Sequence, residues 1–264
     1  GALAMSIMPL QTIMGIDVVT AFFAVVPLFF VLIPDPVTRE EAVGVNPVTA
    51  VARDVREGFR FIWQWSGLLL GLVAAALING TINPAFALLP ILVSKTFGKG
   101  VLELGWMEMA WGIGMIGGGL ILSVWGGFKR KILTTLVALI IAGIFFLTLG
   151  LVPASAFDLA LGLIFMSGLM NPLMNGPFMA IVQSVVPLEM QGRVFTVIMS
   201  MSGLAAPIGM AISGPLADRF GVQLWFVIGG IVSILMGVAL GLVPATFHLE
   251  ESVPEQAPAV STEF

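Results

Sequence analysis

The sequence predicts an all-α, polytopic membrane protein, and three observations carry the prediction. Hydrophobic residues make up 58% of the 264 and charged residues 10%, where soluble domains hold about 25% charged residues. Mean hydropathy is +1.08. Apolar stretches of about 20 residues, the length that crosses a bilayer core, recur along the whole chain. Gapless echoes 92 and 95 residues apart mark an internal repeat within the later stretches.

The same composition excludes other classes. There is no cysteine, so disulfides and thiol-bound metal are out. One histidine, His248, sits in the polar tail, which leaves no His-based metal cluster or His proton relay. The basic residues are few and no basic patch interleaves with aromatics, so no nucleic acid partner is expected. No phosphate loop, paired carboxylates or Ser-His-Asp set appears, so neither an ATP-driven pump nor an enzyme is supported. No cofactor or metal is expected.

Taken in order, GALAMSIMPL lacks a charged leader and reads as the last turns of a span whose start is missing. The chain is therefore expected to be a fragment. Complete spans are placed near 12–33, 66–92, 102–126, 132–152, 157–186, 193–217 and 222–244. Pro34-Asp35-Pro36 stops the first of them. The organisation expected is residues 1–34 as two span segments, 35–65 as a polar linker, 66–245 as a six-span bundle and 246–264 as a disordered tail.

Within the linker, Asn46-Pro47 reads as an N-cap and first helical position. Val48, Val51, Val55, Phe59 and Ile62 then recur at helical steps, with Arg53, Arg56 and Arg60 elsewhere on the wheel. That pattern predicts a helix lying in the membrane interface, with Trp63 and Trp65 at headgroup depth. A cytoplasmic linker puts Arg39, Arg53, Arg56, Arg60, Lys129, Arg130, Lys131 and Arg193 inside, and only Lys95, Lys99 and Arg219 outside. That positive-inside bias orients the chain, with its C-terminus in the cytoplasm.

GIGMIGGGLILSVWGGFKRK, residues 112–131, is the densest glycine segment. Gly114, Gly117 and Gly118 would leave a helix strip without side chains, where a neighbour can approach closely. Ile113, Gly114, Met115, Gly119 and Gly126 fall, 95 residues on, at Ile208, Gly209, Met210, Gly214 and Gly221. Gly209 and Gly214 are therefore the matching packing positions. At offset 92, Asn79 and Asn83 beside Pro84 answer Asn171 and Asn175 beside Pro172 and Pro177. Each pair is four apart and shares a helical face. Proline-interrupted segments at matching places in repeats point to a transport site. Two roles stay open for these asparagines: facing a cavity, or hydrogen-bonding between helices. Met170 and Met174, on the same span, suit either a cavity for varied apolar ligands or plain packing.

Two carboxylates fall at membrane depth, Asp17 and Glu108. A charge there costs roughly 2.5–3.5 kcal/mol on insertion scales, so each is a proton-coupling candidate. Placement near the span ends, where water reaches, is the alternative. Glu189 and Arg193 are four apart, acid before base, a spacing that favours a local ion pair.

The motifs IDVVTAFFAVVPLFFVLIPDP, REGFRFIW, NPLMNGPFMAIVQSVVPLEMQGRVF and SGPLADRFG resemble the major facilitator superfamily, and more narrowly its macrolide-efflux and siderophore-exporter branch. The resemblance implies spans 6 to 12 of a twelve-span secondary transporter, with the N-terminal half missing. It implies proton-coupled export of a small amphipathic molecule across the inner membrane, by two bundles rocking about a midplane site. It also implies that Gly126, Lys129, Arg130, Lys131, Glu189 and Arg193 belong to a cytoplasmic turn or gate. Each half of such a transporter is similar to two inverted three-span units. A seven-span receptor, or a structural membrane subunit, is the rival reading.

Overall fold

The computed structural model describes residues 10–26 and 47–251. Every regular element among them is helical. In chain order the longer ones are α1 (Leu10–Val25), α2 (Pro47–Gln64), α3 (Ser66–Ala87), α4 (Val101–Trp125), α5 (Lys131–Leu151), α6 (Phe157–Val185), α7 (Leu188–Phe220), α8 (Gln223–Leu242) and α9 (Pro244–Glu251), with a short helical turn over Leu89–Ile91 and a π-helical turn over Leu92–Thr96 between α3 and α4. Among the described residues, α3 to α8 are six helices long and apolar enough to cross a membrane. The expected first span lies only partly within the described residues, as α1. The Pro34-Asp35-Pro36 stop, Arg39 and the tail beyond Glu251 lie outside them.

Two boundaries differ from expectation. α7 starts at Leu188 rather than near 193, because Pro187 caps it and accepts the N–H groups of Met190 and Gln191. At 33 residues it is about 50 Å long, so its first turns extend beyond a hydrocarbon core about 30 Å thick. The tail expected to be disordered from 246 begins instead as the helix α9.

The packing has a crossed arrangement. α3–α5 and α6–α8 form two units of three, yet α3 packs mainly on α7, α6 on α4, and α5 on α8. Each unit supplies the other's partner. The seams are made by glycines. A Cβ on Gly118 would strike the Leu169 carbonyl and the Pro172 ring, and one on Gly209 would strike the Gly80 carbonyl and the Pro84 ring. The two contacts are counterparts in the repeat, each pairing a glycine with a proline of the asparagine helix. Gly114 likewise meets the Phe165 carbonyl. Gly117 and Gly214 differ from expectation: a Cβ there meets nothing within 4 Å. Gly114 and Gly118 lie four apart on one face, whereas Gly117 is turned about 100° from Gly118.

The α5–α8 seam was not anticipated. Gly143 and Gly150 face Gly230 and Gln223, with Gly143 opposite the Gly230 carbonyl at 2.9 Å from an added Cβ.

Apolar cores fill both ends of the bundle. One contains Leu92, Phe97, Met107, Leu149, Phe157 and Phe226. The other contains Ile62, Leu68, Ile132, Val182, Val194 and Val197. The Gly126-Gly127 turn adjoins the second core and the Asp218-Arg219 turn the first, so the repeat is inverted. The second end also carries Arg56, Arg60, Lys129, Arg130, Lys131 and Arg193, and is the cationic end.

α2 docks there. Ile62 is fully buried, Val55 and Trp65 pack beside it, and Gly58 lets α2 approach the Arg193 carbonyl. Phe59 and Trp63 point outward, ring centroids 5.7 Å apart. Trp65, in extended backbone between α2 and α3, packs against the core of this end.

Gly126 and Gly127 both have positive φ, +74° and +82°, which turns the chain between α4 and α5. The Phe128 N–H donates to Thr134 Oγ1 at 2.8 Å and holds the turn on α5. Thr134→Val should cost about 1 kcal/mol, read as a lower denaturant midpoint with unchanged helicity.

Candidate functional site

Between the end cores lies a cavity of about 520 Å³, bounded by α3, α4, α5, α6 and α8. Asn79 and Asn83 enter it from α3, Asn171 and Asn175 from α6. Their spacing of four places each pair on one face. Nearby prolines reinforce this, because Pro84 removes the N–H that would bond the Gly80 carbonyl, and Pro172 does the same for Gly168. Those stretches of backbone then pack on glycines of α7 and α4.

The amides bond along their own helices. Asn79 Nδ2 donates to the Ala75 carbonyl at 2.9 Å, and Asn175 Nδ2 to the Asn171 carbonyl at 3.1 Å. Asn83 Nδ2 reaches both the carbonyl and Oδ1 of Asn79, each at 3.0 Å. The bonds of these three amides run within α3 and α6 rather than between helices. A carboxamide offers two donors and an acceptor with two lone pairs, so capacity to meet a ligand remains.

Aromatic rings form the wall nearer the first end core. Phe86 and Trp111 meet edge-to-face with centroids 4.5 Å apart, and Phe146 lies 5.7 Å from Phe86. Phe226 stacks behind Phe146 at 6.1 Å. Glu108, exposed and one turn before Trp111 on α4, also lines the cavity. Among the described lining residues it is the one ionisable side chain. Its neighbour Glu103 is committed elsewhere, accepting the Gly100 N–H at 2.9 Å as a cap of α4. Asp17 lies on α1, and its side chain is outside the described residues.

Met174 lines the cavity, whereas Met170 does not. Met174 is three residues from Asn171 on its face, while Met170 is one residue and about 100° away. Sequence reasoning missed Ser167 and Ser233, both buried and both in the lining. Ser233 bonds the Gly229 carbonyl, but Ser167 Oγ has no hydrogen-bond partner. Ser167 continues the Asn171–Asn175 stripe by one more step of four, and that signal was available.

The residues expected at a gate gather at the cationic end. Lys129, Arg130 and Lys131 are exposed where α5 begins, and Glu189 is exposed in the first turn of α7. Arg193 Nη1 donates to Glu57 Oε2 of α2 at 2.6 Å, a long-range ion pair. Both partners are partly exposed, so the pair is worth at most about 1 kcal/mol.

A profile described as Major Facilitator Superfamily matches residues 1–209 and, overlapping, 68–262. Macrolide efflux protein A of Streptococcus pyogenes is 30% identical over 242 residues, covering 92% of this chain and 59% of that protein. Macrolide efflux protein A of Enterococcus faecalis is 30% identical over 209 residues, covering 79% of this chain and 64% of that protein. Multidrug efflux pump Tap of Mycolicibacterium fortuitum is 29% identical over 205 residues, covering 76% and 48%. The chain thus spans about three fifths of the first relatives' length. No solved structure matches.

Proposed function

The chain belongs to the Major Facilitator Superfamily, and on that footing we propose that it forms the C-terminal part of a proton-coupled exporter of small amphipathic molecules, macrolides foremost. It is a multi-pass membrane protein of a transporter family rather than an enzyme. That membership removes the receptor and structural-subunit readings. The siderophore alternative has no counterpart among the names of the relatives above.

One observation carries the proposal: four asparagines from two repeat-related helices converge on a single cavity, with three aromatic rings and one carboxylate. Aromatic faces take the apolar body of a ligand and amides take its polar groups. Glu108 is the group to exchange a proton. The cationic end is the cytoplasmic end, following the bias of Lys and Arg, and the transporter family and its efflux relatives support the plasma (inner) membrane.

The missing N-terminal half is the partner that completes the cavity. α4 and α7 leave most of their surface open, whereas about half of the residues along α5 are buried. Gly117 and Gly119 on α4, and Gly203 and Gly214 on α7, face open space. Those faces are where the other half would seat.

The test is macrolide efflux by this chain joined to such an N-terminal half. Replacing Asn79, Asn83, Asn171 and Asn175 by alanine should lower efflux at least about tenfold, roughly 1.4 kcal/mol, with insertion intact. Full efflux from a correctly inserted quadruple variant would overturn the assignment.

A further inference from the structure

A second, smaller cavity of about 80 Å³ lies toward the cationic end. It shares Ile78, Asn79, Leu139, Met174 and Asn175 with the large one, so the two abut along the bundle axis. Its lining includes Thr135 of α5 and Thr246 of α9. These threonines are 7% and 2% exposed, and neither hydroxyl has a hydrogen-bond partner. Elsewhere in the chain threonine hydroxyls bond back one helical turn, as Thr148 does to Ile144 and Thr196 to Gly192. Two buried hydroxyls left unmatched in one small cavity, beside two asparagines, is the arrangement that ordered water satisfies. About 10–15 Å³ of such space is enough to seat one water, so there is room for more than one.

The wall that closes this cavity is a short one. α9 is eight residues long and rests on α3, α5, α6 and α8 at their cationic ends. The Arg130 guanidinium lies over the Phe247 ring, 5.9 Å from its centroid. Phe247 also packs against the core of that end.

We propose that the second cavity is a hydrated passage from the asparagine site to the cationic end, and that α9 is its removable wall, latched by Arg130 on Phe247. The proposal rests on the large cavity being the transport site. Opening toward the cationic side then requires α9 to undock, exposing Thr135 and Thr246 to water together.

The absence of cysteine makes this testable, since Thr246→Cys introduces the chain's single thiol. Labelling by a polar maleimide in permeabilised membranes should be slow compared with Ser155→Cys, an exposed control at the opposite end. Adding Arg130→Ala should speed Thr246→Cys labelling about two- to fivefold, the loss of one exposed cation–π contact. Adding Phe247→Ala should speed it roughly tenfold or more, because packing is lost too. Phe247→Trp, which keeps an aromatic face, should leave it slow. Labelling at the control rate before any latch substitution, or no acceleration in Phe247→Ala, would overturn the proposal. Should Arg130→Ala not insert, the Phe247 pair decides alone. The readout needs no substrate, so it fails or succeeds separately from the asparagine efflux assay.

Discussion

Glu108→Gln is expected to abolish pH-driven macrolide accumulation in everted vesicles while leaving the fold and substrate binding in place. The substitution keeps the shape and removes the titrating group. Glu108 is exposed to the cavity, one helical turn from Trp111. No other ionisable residue stands among the described lining residues. An exchange of one proton per substrate sustains a gradient of about tenfold per unit of pH, since each unit is worth about 1.4 kcal/mol. That gradient should collapse to roughly unity in Glu108→Gln. Facilitated, downhill movement should continue. If Glu108→Gln still accumulates substrate against its gradient, coupling lies elsewhere, and Asp17→Asn becomes the variant to measure.

The second large effect is in the seams. Gly118→Ala and Gly209→Ala should each destabilise the bundle by about 1–3 kcal/mol, the usual cost of overpacking. The obstructing atoms are backbone carbonyls, of Leu169 and Gly80, and proline rings that cannot rotate away. Helices must separate to accept even one methyl group. Gly117→Ala and Gly214→Ala, with open space at the same chemistry, should instead be neutral or gain up to about 1 kcal/mol of helix propensity. Denaturant unfolding in bicelles would rank the four. Equal midpoints for Gly118→Ala and Gly117→Ala would contradict the seam assignment.

Much of this was legible in sequence, and for a definite reason. Helix positions follow from local hydropathy, and a face follows from spacing. Asn79 with Asn83, and Asn171 with Asn175, therefore pair by spacing alone, and the offset of 92 points to a common destination. Glu108 stands out because charge at membrane depth is costly. What spacing cannot supply is the identity of the helix across the gap. Glycines three and four apart look equivalent on a helix wheel, yet α6 covers Gly114 and Gly118 but not Gly117. In the α5–α8 seam, Gly143 and Gly150 and also Gly230 and Gly237 are seven apart on their helices, and nothing local says that Gly143 meets Gly230 or that Gly150 and Gly237 meet Gln223 and Ile140 across it. The Arg193–Glu57 pair joins residues 136 apart, beyond any reading of a single helix wheel. Ser167 was missed because serine is unremarkable by type, although its place one step of four before Asn171 marks the same face, and its buried hydroxyl has no hydrogen-bond partner.

The crossed packing of α3 on α7 and of α6 on α4 also sets a timetable for biogenesis. α3 enters the bilayer carrying Asn79, Asn83 and the carbonyl that Pro84 leaves unbonded, but the glycine that covers that carbonyl is Gly209, about 125 residues downstream. At about 5–20 residues per second, roughly 6–25 s of synthesis separate the two. During that interval α3 lacks its main partner, whereas α4 and α6 meet much earlier. The α3–α7 clasp therefore closes late, followed only by the α5–α8 seam, and the polar lining is assembled only when nearly all of the bundle has been synthesised. A protein built this way depends on the insertion machinery to shelter α3, and a chain truncated before α7 would present its asparagines to lipid.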